Sequence, residues 1–364
     1  MVRLLGYHLE DPLIICFPDE RNRTTHKVNI SHHSPANLFA LGDLDVLPIE
    51  MLHAVLQFAD LHTLSEFSLV NRQAKSTVDG FNPYKLIKTL APHLLVVLAS
   101  TEVASHFTAC QVVDALCSNS CSICGRFGTY LWVPDCIRCC ISCLRYSPKL
   151  MPMSKQDAKA AFGLSERALS KVPIVHTLPG RYSPRCANLY NWRRWLLSHE
   201  TARNIALEIH GGEEGLNSYI NSNASRARAK AAYDQRVANR NALNRFDVDD
   251  SPLALLQGDV CRYMVTTHLP YFDTKSRLVT QTSLSCKGCV LAYYYTPRTS
   301  DAQRHALADR RNRTYTEDMF LDHLKTCRET QRFWAKRHDC ANNYYLGDDT
   351  GWSGQDLNFY LSIV

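Results

Sequence analysis

Apolar residues recur at three- and four-residue spacing from Ile49, where Ile49, Leu52, Val55, Leu56 and Ala59 share one helical face. Pro48 suits a first helical turn, because its missing N–H costs nothing there. Glu50 lies beside that helix N-terminus with favourable sign. A polar break, Asp60-Leu61-His62-Thr63, leads to a second periodic run through Leu64, Phe67, Ser68 and Val70, with Phe67-Ser68-Leu69-Val70-Asn71-Arg72 expected in the last helix. The stretch 86–117 is strongly apolar and predicts further helix through Leu94, Val97, Leu98, Val103, Phe107, Val112, Val113 and Leu116, with Thr108 as a cap. Helix is also predicted over 154–169, opened by Ser154 with Asp157 and broken near Gly163-Leu164-Ser165.

Residues 173–184 read as turn and extended chain, and 187–209, with Leu189, Trp192, Trp195, Leu196 and Leu197, as another helix. The stretch 216–243 has neither Pro nor Gly and predicts the longest unbroken helix. Its apolar positions Leu216, Tyr219, Ile220, Ala227, Ala231 and Val237 are expected to face inward, with the arginines in water. From Cys261 to Thr296 the composition turns to Val, Thr and Tyr, which favours strands, and 320–334 returns to helix. The polar segment 1–43 reads as a loosely ordered arm, with Leu13 to Phe17 as a short strand or docking segment. Neither an internal repeat nor a low-complexity tract is present.

Composition narrows the class. At 364 residues with 45% hydrophobic content the chain exceeds the usual single domain, and most of it can bury a core. The net charge of +6, from 41 basic and 35 acidic residues, is too mild to argue for nucleic acid. No run of apolar residues is long enough to span a bilayer, and the N-terminus lacks the apolar core of a secretory signal. An intracellular, reducing setting is therefore expected, cytoplasmic or nuclear.

Fifteen cysteines change the picture, because in a reducing compartment closely spaced cysteines are metal ligands more naturally than bridges. Six fall between Cys121 and Cys143. Cys121-Ser-Ile-Cys124 is one ligand pair, and the Gly125 that follows permits the tight turn a bound metal requires. The second pair is Cys140 with Cys143, or Cys136 with Cys139; the preferred set is Cys121, Cys124, Cys140 and Cys143, with Cys136 in reserve. Phe127 to Val133 is expected to form a strand or hairpin under the metal. A second set is split along the chain: Cys286-Lys-Gly-Cys289, then His323 and Cys327, four apart on one helical face. The 33 residues between Cys289 and His323 are expected to form a loop carrying Arg304 to Arg313. Both sets imply structural zinc, two ions per chain, contributing folding free energy rather than catalysis.

Taken together, Leu47-Pro48-Ile49-Glu50, Leu52, Val55 and Leu56, Leu64, and Phe67-Ser68-Leu69-Val70-Asn71-Arg72 resemble the F-box. That resemblance implies docking, through Leu47, Pro48, Ile49, Leu52, Leu56, Leu64, Leu69 and Val70, onto the Skp-family adaptor of a cullin–RING ubiquitin ligase. The remainder would then recruit an unknown protein substrate. The chain also resembles a group of fungal F-box proteins of about this length. That wider likeness rests on Ala104-Ser-His-Phe-Thr108, Cys121-Ser-Ile-Cys-Gly125, Cys136-Ile-Arg-Cys-Cys-Ile-Ser-Cys-Leu144 and Ala161-Phe-Gly-Leu-Ser165. It continues with Leu178-Pro-Gly180, His268-Leu-Pro-Tyr271, Cys286-Lys-Gly-Cys289 and Phe320-Leu-Asp-His-Leu-Lys-Thr-Cys327. It departs at Asp60-Leu61-His62-Thr63, where a longer apolar pattern is usual.

The expected fold is α+β, mainly α: a three-helix F-box-like unit, a zinc-stabilised central region and a small strand-containing C-terminal part. Expected divisions are an arm at 1–43, the F-box at 44–84, a cysteine-rich region at 85–185, a helical region at 186–250, a second zinc-binding region at 251–340 and a tail at 341–364. No glycine-rich phosphate loop, nucleophile elbow or His-Glu-x-x-His pattern occurs, so a non-catalytic role is expected. Two readings stand as alternatives: a scaffold acting outside the ligase, and a zinc-dependent nucleic-acid-binding protein. The second would use Arg226, Arg228, Lys230, Arg236 and Arg240 with Arg304, Arg310, Arg311 and Arg313, but nearby Glu213, Glu214, Asp234, Asp247, Asp249 and Asp250 offset that charge.

Overall fold

The computed structural model describes residues 6–8, 41–180, 182, 190–245, 260–280, 283–295 and 300–332. The protein is mainly helical, with short antiparallel strands gathered in small sheets. The first strand, β1 (Gly6–His8), comes from the segment expected to be a loose arm and pairs with Leu284–Cys286. Leu13 to Phe17 lie outside the described residues.

The N-terminal helices are α1 (Ile49–Leu56), α2 (Leu61–Val70) and α3 (Arg72–Gly80). Asp60 turns the expected polar break into an N-cap, its carboxylate accepting from the Thr63 N–H at 2.7 Å. Asn71 likewise caps α3 through the Ala74 N–H at 2.8 Å, so Asn71-Arg72 starts a new helix rather than ending the previous one. Next come α4 (Asn82–Leu90), α5 (Pro92–Ser100) and α6 (Ala109–Cys117), with Thr108 and Gln111 forming a reciprocal capping box on the last. Leu56, Leu61, Leu64 and Val78 enter the same buried core as Leu94, Leu98, Val112 and Leu116, and that core continues to Trp132, Leu144 and Phe272.

The hairpin expected below the first cysteine pair forms from β2 (Tyr130–Trp132) and β3 (Ile137–Cys139), followed by α7 (Ile141–Tyr146). A second core collects under β4 (Pro152–Ser154), α8 (Lys155–Phe162) and α9 (Glu166–Leu169), while Val175 of the following β5 (Val175–His176) belongs to the first core. Ser154 caps α8, and Gly163 closes it with a φ of +66°. One expectation fails here. The part of 187–209 around Trp195 is a strand, β6 (Trp195–Ser198), central between β4 and β5, and helix α10 (His199–His210) starts only after it. Its alternation, Trp195 exposed and Leu196 and Leu197 buried, resembles a helical face over so few residues.

The long helix is also interrupted. α11 (Glu213–Asn221) stops, and Asn223 starts α12 (Ala224–Arg245) by accepting from the Ser225 N–H at 2.8 Å. Leu216 and Ile220 are buried, Tyr219, Ala227 and Val237 half-buried, and Ala231 exposed; the inward residue is Tyr233 instead.

The stretch expected to be strands opens and closes with helix. After α13 (Val260–Met264) come β7 (Thr266–His268), which pairs with β2, and the hairpin β8 (Tyr271–Phe272) and β9 (Val279–Thr280). β10 (Leu284–Cys286) then runs into α14 (Lys287–Tyr295). The expected arginine loop is likewise a helix, α15 (Asp301–Arg311), packed against α14 and followed by β11 (Thr314–Tyr315) and α16 (Glu317–Thr326). A helical hairpin returns the chain to its start as well as a loop does, so the excursion need not pull the Cys286 turn from α16.

Candidate metal centres and a docking face

The Sγ atoms of Cys121, Cys124, Cys140 and Cys143 lie within 4.8 Å of one another. Cys121 and Cys124 sit on a turn held by Gly125 N–H to Cys121 O at 2.8 Å, with Gly125 at φ +73°. Ile123 N–H points at Cys121 Sγ at 3.4 Å, and Ser122 N–H ties the turn to Arg138 O at 2.9 Å. Cys140 is the N-cap of α7 and accepts from Cys143 N–H at 3.4 Å, so the helix N-terminus favours negative sulfur. Tetrahedral zinc with bonds of about 2.3 Å requires sulfurs about 3.8 Å apart. Cys124 and Cys140 stand 3.7 Å apart, and every cysteine of the group is a free thiol.

Charge makes the same point. Hydrogen bonding to Cys140 and Cys143 lowers the Cys121 thiol strongly, and the resulting thiolate pushes Cys140 up to about 12 and Cys143 further. Only a cation among them would let all four sulfurs at these distances lose their protons together. Cys136 and Cys139 stand outside the group. Burial raises Cys136 to about 12 and Cys139 well above its ordinary value, which keeps both as thiols.

The second group joins Cys286 at the end of β10, Cys289 in the first turn of α14, and His323 and Cys327 on and just after α16, again within 4.8 Å. Cys286 and Cys289 are each 3.8 Å from Cys327 Sγ, and Cys289 Sγ is 3.5 Å from His323 Nε2. A tetrahedral zinc predicts about 3.8 Å for sulfur pairs and about 3.6 Å for a sulfur–imidazole pair. Tyr315 Oη lies 3.3 Å from Nδ1 of the same ring and stacks on it at 4.7 Å, so Nδ1–H can donate to the hydroxyl and leave Nε2 for the ion. Thr330 Oγ1 donates to Cys327 Sγ at 3.1 Å. A Cβ on Gly288 would come within 2.7 Å of Thr330 N, so this position must be glycine for the close approach. Burial pushes His323 down, but its interactions with the sulfurs of Cys286 and Cys327 outweigh it and hold the ring up to about 9; a cation in place of the proton answers the same field.

Sequence reasoning missed how the two centres are braced. Arg138, 1% exposed, spends all five guanidinium N–H donors on five carbonyls: Ala115 at 3.0 Å, Gly128 at 2.6 Å, Leu269 at 3.0 Å, Leu116 at 3.3 Å and Pro270 at 2.5 Å. It joins α6, the cysteine turn and the Leu269-Pro270 segment in one knot, and burial depresses it to about 10. Arg126 bonds Cys124 Sγ at 3.4 Å and Asp309 of α15 at 2.5 Å, linking the first centre to the helical hairpin of the second.

The basic residues weighed for nucleic acid are largely engaged within the fold. Arg226 stacks on Tyr219 at 4.1 Å, Lys230 pairs with Asp234 at 2.6 Å, and Arg236 pairs with Asp157. Arg310 pairs with Glu329 at 2.8 Å, Arg313 with Asp309 at 3.1 Å, and Arg311 lies over Tyr293 at 4.0 Å. Arg228 is exposed and bonds Ala224 O at 3.2 Å. Arg240, Arg304, Asp247, Asp249 and Asp250 have no described side chains.

A third feature is an apolar surface. Of fifteen exposed large hydrophobics among the described residues, eight fall within 44–70, among them Val46, Val55, Phe58, Leu69 and Val70. Phe58 is 80% exposed, Leu69 67% and Val70 66%, which helices folded only for their own core do not require. Of the docking residues read from the sequence, Ile49, Leu69, Val70 and Pro48 are exposed and Leu47 half-buried, while Leu52, Leu56 and Leu64 are buried behind the face. Sequence periodicity put Val55 on the buried stripe, yet it is 60% exposed; Val46, Met51 and Phe58 were not singled out.

Comparison with known families matches residues 44–86 to the F-box domain. No curated protein and no solved structure matches the chain. F-box domains in general bind Skp-type adaptors in ubiquitin ligases, most often in proteins without catalysis of their own, and no helix among the described residues is long and apolar enough to cross a membrane.

Proposed function

We propose that this chain is a substrate-recognition subunit of a cullin–RING ubiquitin ligase. The apolar face of α1 and α2 docks on a Skp-family adaptor, and the zinc-braced remainder holds a protein target. The observation that carries this reading is the concentration of exposed Val55, Phe58, Leu69 and Val70 within the F-box match. The chain supplies position, not chemistry: ubiquitin thioester transfer belongs to other subunits, and zinc in both cysteine centres is structural. Each set offers four soft or borderline ligands, which fills a tetrahedral zinc and leaves no open position for water. Zinc there holds the Cys121 turn against α7 and the Cys286 junction against α16. The place of action is the cytoplasm, the nucleus or both.

The test is affinity capture from cells under proteasome inhibition, comparing the wild-type chain with one carrying Val55→Asp and Val70→Asp, both at exposed positions of that face. Adaptor and cullin are expected only with the wild type, while target proteins are expected with both. Adaptor and cullin captured equally by both chains overturn the proposal.

A further inference from the structure

The segment Trp192-Arg193-Arg194-Trp195 stands apart from the surface around it. Trp195 is 53% exposed and Trp192 36%, and both arginines are exposed. Nearby cations are neutralised: Lys155 by Glu166 at 2.9 Å, Lys159 by the same carboxylate, and Arg203 by Glu213 at 2.5 Å. Arg193 and Arg194 reach no carboxylate among the described residues; Arg194 lies over the Trp192 ring at 4.3 Å instead. The backbone beneath is fixed. Thr177 N–H donates to Arg194 O at 2.9 Å, Arg194 N–H to Thr177 Oγ1 at 2.8 Å, and buried Leu196 and Leu197 anchor the strand that follows. The segment is a preorganised pair of aromatic side chains flanking two arginines that no carboxylate of the described residues compensates, a combination enriched where interfaces concentrate their binding energy.

We propose that this segment docks an acidic peptide stretch of a partner protein, its carboxylates on Arg193 and Arg194 and an adjoining aromatic or aliphatic side chain on Trp192 and Trp195. This names a target class for the recognition subunit above and rests on that reading for its biological role, although the binding itself does not. Charge complementarity selects acid. Two adjacent charges also match a short run of carboxylates better than a phosphate backbone, which calls for a longer basic track.

The experiment uses the zinc-loaded full chain and a fluorescent random copolymer of glutamate and tyrosine, with glutamate homopolymer and uridine homopolymer RNA alongside. Saturable binding to the mixed copolymer is expected, weaker to glutamate alone, and falling as salt rises. Arg193→Glu with Arg194→Glu should weaken it by about thirtyfold or more, and Trp195→Ala by about tenfold, losses typical of central interface residues. Zinc content and thermal midpoint are measured on each variant; should the charge reversal disturb either, Arg193→Gln with Arg194→Gln replaces it, with loss of binding still expected. Absence of copolymer binding, affinity unchanged in the variants, or tighter binding to the RNA overturns the proposal. Adaptor binding by the same variants stays intact if both readings hold. An adaptor that fails to bind a chain still binding copolymer overturns the ligase reading alone.

Discussion

Replacing Tyr315 by phenylalanine isolates one hydroxyl in the second candidate metal centre. The ring stack on His323 at 4.7 Å survives, and only the Oη at 3.3 Å from Nδ1 is removed. Burial pushes this phenol well above its ordinary pKa, so it is a neutral acceptor for Nδ1–H and holds the tautomer that offers Nε2 to a metal. Losing such an orienting partner typically weakens metal affinity by about ten- to a hundredfold, which corresponds to roughly 1.4–2.7 kcal/mol. Because the four ligands come from β10, α14 and the α16 region, that loss is also lost folding free energy. Competition with a chromogenic chelator should show one zinc of the two leaving about ten- to a hundredfold more readily, while the other is unchanged. Two equivalents held as tightly as in the wild type would refute the role of Tyr315. Weakening of both centres alike would show that the hydroxyl supports the fold and not His323.

Three further outcomes follow from named contacts. Cys124→Ser should remove one equivalent of zinc, whereas Cys136→Ser and Cys139→Ser should remove none, measured by elemental analysis; metal loss on mutating Cys136 would return it to the ligand set. Arg138→Lys offers at most three donors to five buried carbonyls, so at least two are left unsatisfied and urea unfolding should show a loss of roughly 2–5 kcal/mol; a loss under about 1 kcal/mol would show that water or a shift replaces the knot. Burial, with His93 nearby, lowers His268 to about 4 from its ordinary 6.5, so the unfolded chain binds the proton first. The stability this gives is present above about pH 6.5 and is lost as pH falls towards about 4. His268→Gln should flatten that part of the pH–stability curve relative to wild type, and parallel curves would contradict it.

Where candidate ligands are spaced by two residues or by one helical turn, their grouping in space was legible in the sequence. Cys121 with Cys124, Cys140 with Cys143, and His323 with Cys327 are local pairs whose geometry depends on few bonds. Gly125, Thr108 and Ser154 were legible for the same reason, since a left-handed turn or a cap is decided by its own residue and the next three. Longer-range outcomes were not. Trp195 to Ser198 became a strand because Pro152–Ser154 and Val175–His176 flank it, and pairing partners leave no mark in a short apolar run. The segment 301–311 became a helix because it packs on α14. Arg138 was quoted only as part of a cysteine-rich motif; that a charged side chain inside such a run would be buried among five carbonyls needed Leu269 and Pro270, more than a hundred residues away. Val55 shows the remaining gap: periodicity finds an apolar side chain on a helix but does not say whether its neighbour belongs to the same chain or to another.

That distinction is also the most direct test of the proposed function. Purified zinc-loaded chain is mixed with a Skp-family adaptor and the complex is measured by calorimetry, for the wild type and for Val55→Asp with Val70→Asp. Both sites are exposed, so the variant should keep its two zinc ions and its thermal midpoint. The account predicts a one-to-one complex with the wild type and none with the variant; a wild-type chain that fails to bind, or a variant that binds equally well, contradicts it.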